Sequence, residues 1–160
     1  MDLTKRQQEI LDFVVNLGHA GDIVERSLAE LARRKAKRQL SFGREDLADL
    51  TSFHAQVRDD LRLALSTLMA EDPRGARLLV DAKRRLGELE RASTRDHLAR
   101  LVSSRPDALE TSSLHLAVLR DLKRINSHLA TIGYAVLEQA PAEPDTPLDE
   151  LADPPSAIGG

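Results

Sequence analysis

The sequence predicts an all-α protein, an antiparallel up-down bundle of four long helices, on three observations. The chain is 41% hydrophobic but only 2% aromatic, and a core built from Leu, Val, Ile and Ala without aromatics suits helices better than sheets. Apolar residues recur at alternating steps of three and four over four separate stretches, the spacing of a helix packed along one face. The stretches are separated by short polar or proline-containing segments, so consecutive helices should lie antiparallel. No stretch carries a strand signal.

The first helix is read from Leu3, Gln7, Ile10, Val14, Leu17, Gly21, Val24, Leu28 and Leu31, which form one seam. Thr4 with Gln7 resembles a capping box, and the helix should end near the basic run RRKAKRQ. A second seam follows in Leu47, Leu50, His54, Val57, Leu61, Ala64 and Leu68, with Phe53 beside it and Ser41 as the upstream cap. Asp72-Pro73 is the strongest local signal, a capping residue followed by proline at the first helical position. The third helix should carry Leu79, Ala82, Leu86 and Leu89 and run to about Val102. Arg105-Pro106 marks the next break. A fourth helix starts there or at Ser112, with its seam at His115, Val118, Leu122, Ile125, Leu129, Ile132 and Val136.

At 160 residues the chain is long enough for one domain with a core. It has no cysteine, which removes disulfide and thiolate chemistry. The start MDLTKRQQEI lacks the apolar run of a signal peptide, and nowhere do 18 apolar residues stand together. The expectation is a cytoplasmic protein, placed at the inner face of the plasma membrane if it serves a transporter. Residues 1–140 read as the bundle. Residues 141–160 hold five acidic residues, five prolines and no basic residue, and read as a disordered acidic tail. The net charge of −3 is therefore uneven: without the tail, 23 basic residues stand against 21 acidic ones.

The segments NLGHAGDIVERSLAEL and ETSSLHLAVLRDLKRINSHLATIGYAVLE look like two copies of one helix pattern. That pattern resembles the PhoU family, whose repeats are three-helix units ending in such a helix. The combination of GDIVE, SF, FHAQV and LHLAVLRDLKRINSHLA is similar to the PhoU-like cytoplasmic region of bacterial sodium/phosphate cotransporters. On this resemblance, helix one is the last helix of a preceding repeat and helices two to four form a full repeat. It implies control of phosphate uptake by contact with a membrane phosphate transporter, which the same polypeptide would carry upstream. It implies no catalysis. A homodimer formed by pairing incomplete repeats is also expected.

The resemblance further implies a metal site, because PhoU proteins can bind divalent or iron-type ions through an E-x-x-x-D pair on the repeated helices. Residues i and i+4 share a helix face, so two carboxylates can converge on a hard cation. Here the corresponding positions are Gly18 and Asp22 in the first copy, and Lys123 and Ser127, followed by His128, in the second. Three of the four acidic positions are lost, so no cofactor is assigned.

A polar remainder is left. His19 and Asp22 on helix one fall at the same height as Asp121, Lys123, Arg124 and His128 on helix four. Asp22 with Arg124 or Lys123, and Asp121 with a histidine, are expected as ion pairs across the helix boundary, or as the ligands of an altered metal site. His54, His97 and His115 come from three helices at similar height. They read either as a borderline-metal site or as neutral histidines hydrogen-bonded at the core edge.

Arg33, Arg34, Lys35, Lys37 and Arg38 close helix one. Five cations exceed what a helix dipole calls for, so the run is expected to touch anionic lipid or a transporter loop. Arg120, Lys123 and Arg124 form a second contact face. Nucleic acid is not expected as a partner, because no aromatic residues are interleaved with these cations. The sequence lacks a glycine-rich phosphate loop, a nucleophile elbow and an H-E-x-x-H motif, so no enzyme is predicted. The competing readings are a metal-binding bundle with a sensing or structural ion, and a purely structural oligomerisation module.

Overall fold

The computed structural model describes residues 3–102 and 106–140, and the expected tail at 141–160 lies outside the described residues. Four helical rods make up the architecture, and among the described residues there is no strand. The first rod is α1 (Leu3–Asp22), which passes through a π-helical turn (Ile23–Leu28) into α2 (Ala29–Lys37). The second is α3 (Arg44–Ala70) and the third α4 (Pro73–Leu101). The last rod is α5 (Pro106–Leu129) continued by α6 (Thr131–Gln139), with only Ala130 between them. The four-helix bundle expected from the sequence is present.

Local chemistry explains the boundaries. Asp72 accepts hydrogen bonds from the backbone N–H groups of Arg74 at 3.0 Å and Gly75 at 3.3 Å, so the Asp-Pro signal does start α4. The preceding helix closes with Glu71 in the left-handed conformation at φ 53°, an unusual state for a residue with a Cβ. The expected cap at Ser41 is not used. α3 begins after an extended Gly43 with no side-chain cap, and Glu45 and Asp46 in its first turn supply favourable charge at the helix N-terminus instead.

α5 is the central element, packed by α1, α3 and α4, while α6 lies against α4, α3 and α1. This explains why Leu114, Leu119, Leu122, Ile125 and Leu129 are all buried, more than one narrow seam supplies. Two of the other seams are displaced from their expected faces. On α3 the buried line is Leu50, Phe53, Val57, Asp60, Ala64 and Thr67, while Leu47 and His54 are exposed. On α4, Leu79, Ala82 and Leu86 are buried and Leu89 is exposed.

The first helix departs most. Its inward face carries Glu9, Phe13, Ala20 and Ile23, whereas Leu3, Ile10, Val14, Leu17 and Val24 of the expected seam are 38–73% exposed. Two faces of α1 are apolar, and a period count cannot say which one the rest of the chain covers. The π-helical turn compounds the difference, because the longer repeat resets the helix phase midway along the seam.

Candidate functional site

The polar residues singled out on the first and last rods meet along the α1–α5 boundary. α5 runs antiparallel to α1, so a residue late in one rod faces a residue early in the other. Thus Ser27, in the π-helical turn, donates its hydroxyl hydrogen to Oδ2 of Asp121. Two turns further along α5, His128 Nδ1 donates to Oδ1 of Asn16 at 2.8 Å. The His19 and His128 rings lie 5.4 Å apart between centroids, tilted by 33°. Asp121 is 2% exposed, and Arg124 holds its second oxygen at 3.3 Å from one turn away. A buried carboxylate needs such donors, since burial without them is costly.

The electrostatics of the row favour an uncharged imidazole. Burial pushes the His128 pKa below its ordinary 6.5, and His19 and Arg124 push in the same direction. The cross-boundary ion pairs expected from the sequence do not form. Asp22 is exposed, and among the described ion pairs none joins it to Lys123 or Arg124. Lys123 turns toward α4 instead, donating to Glu90 Oε2 at 2.9 Å, and Arg124 pairs within its own helix. Asp121 takes a serine hydroxyl, not a histidine.

Of the four positions that correspond to the acidic pairs, only Asp22 is a carboxylate. Gly18 has open space where a Cβ would sit, Asp22 is exposed, and Ser127 Oγ donates to the carbonyl of Lys123 in its own helix at 3.1 Å. Among the described residues, no group of three or more His, Asp or Glu side chains converges as a metal ion would require. His19, Asp22, Asp121 and His128 therefore do not close into a ligand set.

The same holds for His54, His97 and His115. His115 is buried beside Asp46, with Nδ1 at 4.0 Å from the carboxylate, and Phe42 meets its ring edge-on at 6.3 Å. His97 Nδ1 pairs with Ser112 Oγ across α4 and α5. His54 is exposed, on the wall of a groove between α1 and α3. His97 and His115 are thus hydrogen-bonded or packed at the core edge, whereas His54 stands exposed and apart from them.

The basic run splits by role. Arg33 pairs with Glu30 at 3.2 Å and Arg38 with Glu110 at 3.5 Å. Lys35 lies over the Phe42 ring at 5.6 Å, and Arg34 and Lys37 are exposed at the end of α2, as are the ion-paired Arg33 and Arg38. Arg120 is also exposed, so it shares an outward face of α5 with Arg124, while Lys123 leans the other way to α4.

Relatives now add to this geometry. Similar proteins share most of this chain's length. Relatives from Salmonella typhimurium, Escherichia coli O157:H7 and E. coli K12 each carry the name "Putative inorganic phosphate export protein YjbB". Identity is 37% to the first and 36% to the other two, over 136 residues and 85% of this chain. The chain spans about a quarter of the length of these relatives, 25% in each case. No protein-family profile matches the chain. No solved structure matches it either. Among the described residues no helix is long and apolar enough to cross a membrane.

Sequence reasoning missed Asn16 and Ser27, which carry two of the contacts to α5. Neither has a distinguishing spacing. Only the antiparallel partnering of α1 with α5 brings them opposite His128 and Asp121. Glu90, the partner of Lys123, was missed for the same reason.

Proposed function

We propose that this chain is a PhoU-like regulatory domain of a phosphate transport system, acting by contact with a membrane-embedded phosphate transporter at the cytoplasmic face. It carries no catalytic role. One observation carries the proposal: the match over 85% of the chain to relatives whose names describe inorganic phosphate export. The helix pattern around LHLAVLRDLKRINSHLA supports the PhoU-like reading. That Gly18, Lys123 and Ser127 are not carboxylates, leaving only Asp22 of the four acidic-pair positions, supports regulation without a metal ion of the acidic-pair type.

Contact would be made through exposed cations. Arg34 and Lys37 at the end of α2 and Arg120 on α5 are exposed and available to acidic loops or anionic headgroups. The cross-helix hydrogen bonds of Asp121 and His128 tie α1 to α5, so force on one rod reaches the other through packed and bonded side chains. The test is co-purification of this chain with the rest of the E. coli relative, solubilised in detergent. Co-purification should be weakened by Arg34→Glu with Lys37→Glu, with helix content unchanged. Equal recovery of wild type and double variant would remove the α2 patch from the contact, and no recovery of wild type would count against the docking itself.

A further inference from the structure

α4 turns a basic face toward the last rod. Lys83, Arg84 and Arg91 line a cleft of about 430 Å³ together with Lys123 of α5 and Tyr134 of α6. Spacing dictates the face, because positions 83, 84, 87 and 91 fall on one side of a helix. Gly87 stands among the cations, and its missing side chain leaves the floor of the cleft clear. A Cβ there would lie 3.6 Å from Nη1 of Arg91 and 3.9 Å from Cε of Lys123. Two cations from different helices therefore close over the same point. Lys83 reaches the cleft from one turn earlier, with its Nζ 5.2 Å from the centre of the Tyr134 ring. Tyr134 is held there by the close approach of its neighbour Gly133 to Ala76.

The chain neutralises this convergence only in part. Glu90 holds Lys123 at 2.9 Å and Glu88 holds Arg84 at 3.0 Å, but neither carboxylate lines the cleft, where Asp81 is the one acid against four cations. Among the described ion pairs none includes Lys83 or Arg91. Like charges gathered on one face repel, and glycine is a poor helix former, so this face is kept at a cost to α4. We propose that the cleft binds inorganic phosphate as the free oxyanion. Guanidinium and ammonium groups donate charge-assisted hydrogen bonds to such an anion, and the Tyr134 hydroxyl adds a neutral donor. Asp81 supplies selectivity: near neutral pH phosphate keeps at least one O–H, which a carboxylate accepts, whereas sulfate has none to give and is repelled. The choice of phosphate among anions rests on the reading of this chain as part of a phosphate transport system, and it names what such a domain senses. Binding to the chain alone does not require docking to a transporter, so the two readings fail separately.

The test is titration of the full chain with inorganic phosphate near neutral pH, followed by amide NMR and calorimetry. Binding should saturate with a Kd on the order of 1 mM, with the largest shifts at Gly87, Arg91, Lys123 and Tyr134. Arg91→Gln should weaken it roughly tenfold, and adding Lys83→Gln should weaken it further. Arg62→Gln makes the same charge change on an exposed residue of α3 and should leave binding unchanged. Gly87→Leu fills the cleft at constant charge and should abolish binding with helix content unchanged by circular dichroism. Asp81→Asn should raise sulfate affinity to that of phosphate. The absence of saturable binding, or an equal loss in Arg62→Gln and Arg91→Gln, would overturn the proposal. Sulfate bound by the wild type as tightly as phosphate would mean an adventitious ion only, and would overturn it too. Capture by phosphatidylglycerol vesicles without any response to free phosphate would assign these cations to a lipid surface and refute the free-ion site.

Discussion

Gly133 offers a quantitative probe of how α6 sits on α4. A Cβ at this position would lie 2.8 Å from the carbonyl oxygen of Ala76 and 3.3 Å and 3.4 Å from Leu79 and Val80. The nearest atom is backbone, so the clash is relieved only by moving one helix away from the other. Overpacking of this kind costs about 1–3 kcal/mol, and here the upper part of that range applies. Replacing glycine by alanine inside a helix returns about 1 kcal/mol of intrinsic propensity. Gly133→Ala should therefore lose about 1–2 kcal/mol net. For a chain of this size that lowers Tm by roughly 2–8 °C. Gly87→Ala is the control: its Cβ would meet Arg91 and Lys123 side-chain atoms at 3.6 and 3.9 Å, ordinary contact distances, and α4 should gain about 0.5–1 kcal/mol. Thermal unfolding followed by circular dichroism reads both. A Gly133→Ala variant as stable as wild type would refute the close approach of α6 to α4.

The other predictions concern buried polar groups. Ser27→Ala removes a donor from the 2%-exposed Asp121 and should destabilise by about 1–3 kcal/mol in urea unfolding; a change within error would mean that water replaces the hydroxyl. Burial raises the Asp60 pKa, opposed by its hydrogen bond from Gln56 and by Arg85. A raised carboxyl pKa means the cost of folding it ionised accrues as pH rises through and above the ordinary value of 3.8. Asp60→Asn should therefore be more stable than wild type at pH 7, with the gap narrowing as pH falls. His128, with its pKa depressed, should titrate below 6.5 by NMR, and its contribution to stability should be lost as pH falls through that lowered value; His128→Gln should flatten this part of the stability profile.

Which parts of this architecture were legible follows from what each signal depends on. The Asp72-Pro73 boundary is local chemistry, and the hydrogen bonds of Asp72 to Arg74 and Gly75 bear it out. The seam of the last rod was legible because α5 is covered on several sides, so almost any apolar residue on it is buried. The seam of α1 misled because the helix has two apolar faces, and coverage is a tertiary fact. The π-helical turn at Ile23–Leu28 carries no sequence marker. In the candidate site, the nearness of His19 to His128 was legible from helix heights. The partners of Asp121, Lys123 and His128 were not, because hydrogen-bond pairing depends on rotation about the helix axis, which height alone does not fix.

The central claim is that this domain controls phosphate movement through a membrane transporter. It is tested most directly by phosphate efflux from cells carrying the E. coli relative, with its matching 136-residue region deleted or replaced by this chain. The account predicts that deletion changes how efflux responds to phosphate supply while transport persists, and that the replacement restores the response. An unchanged response after deletion would contradict it.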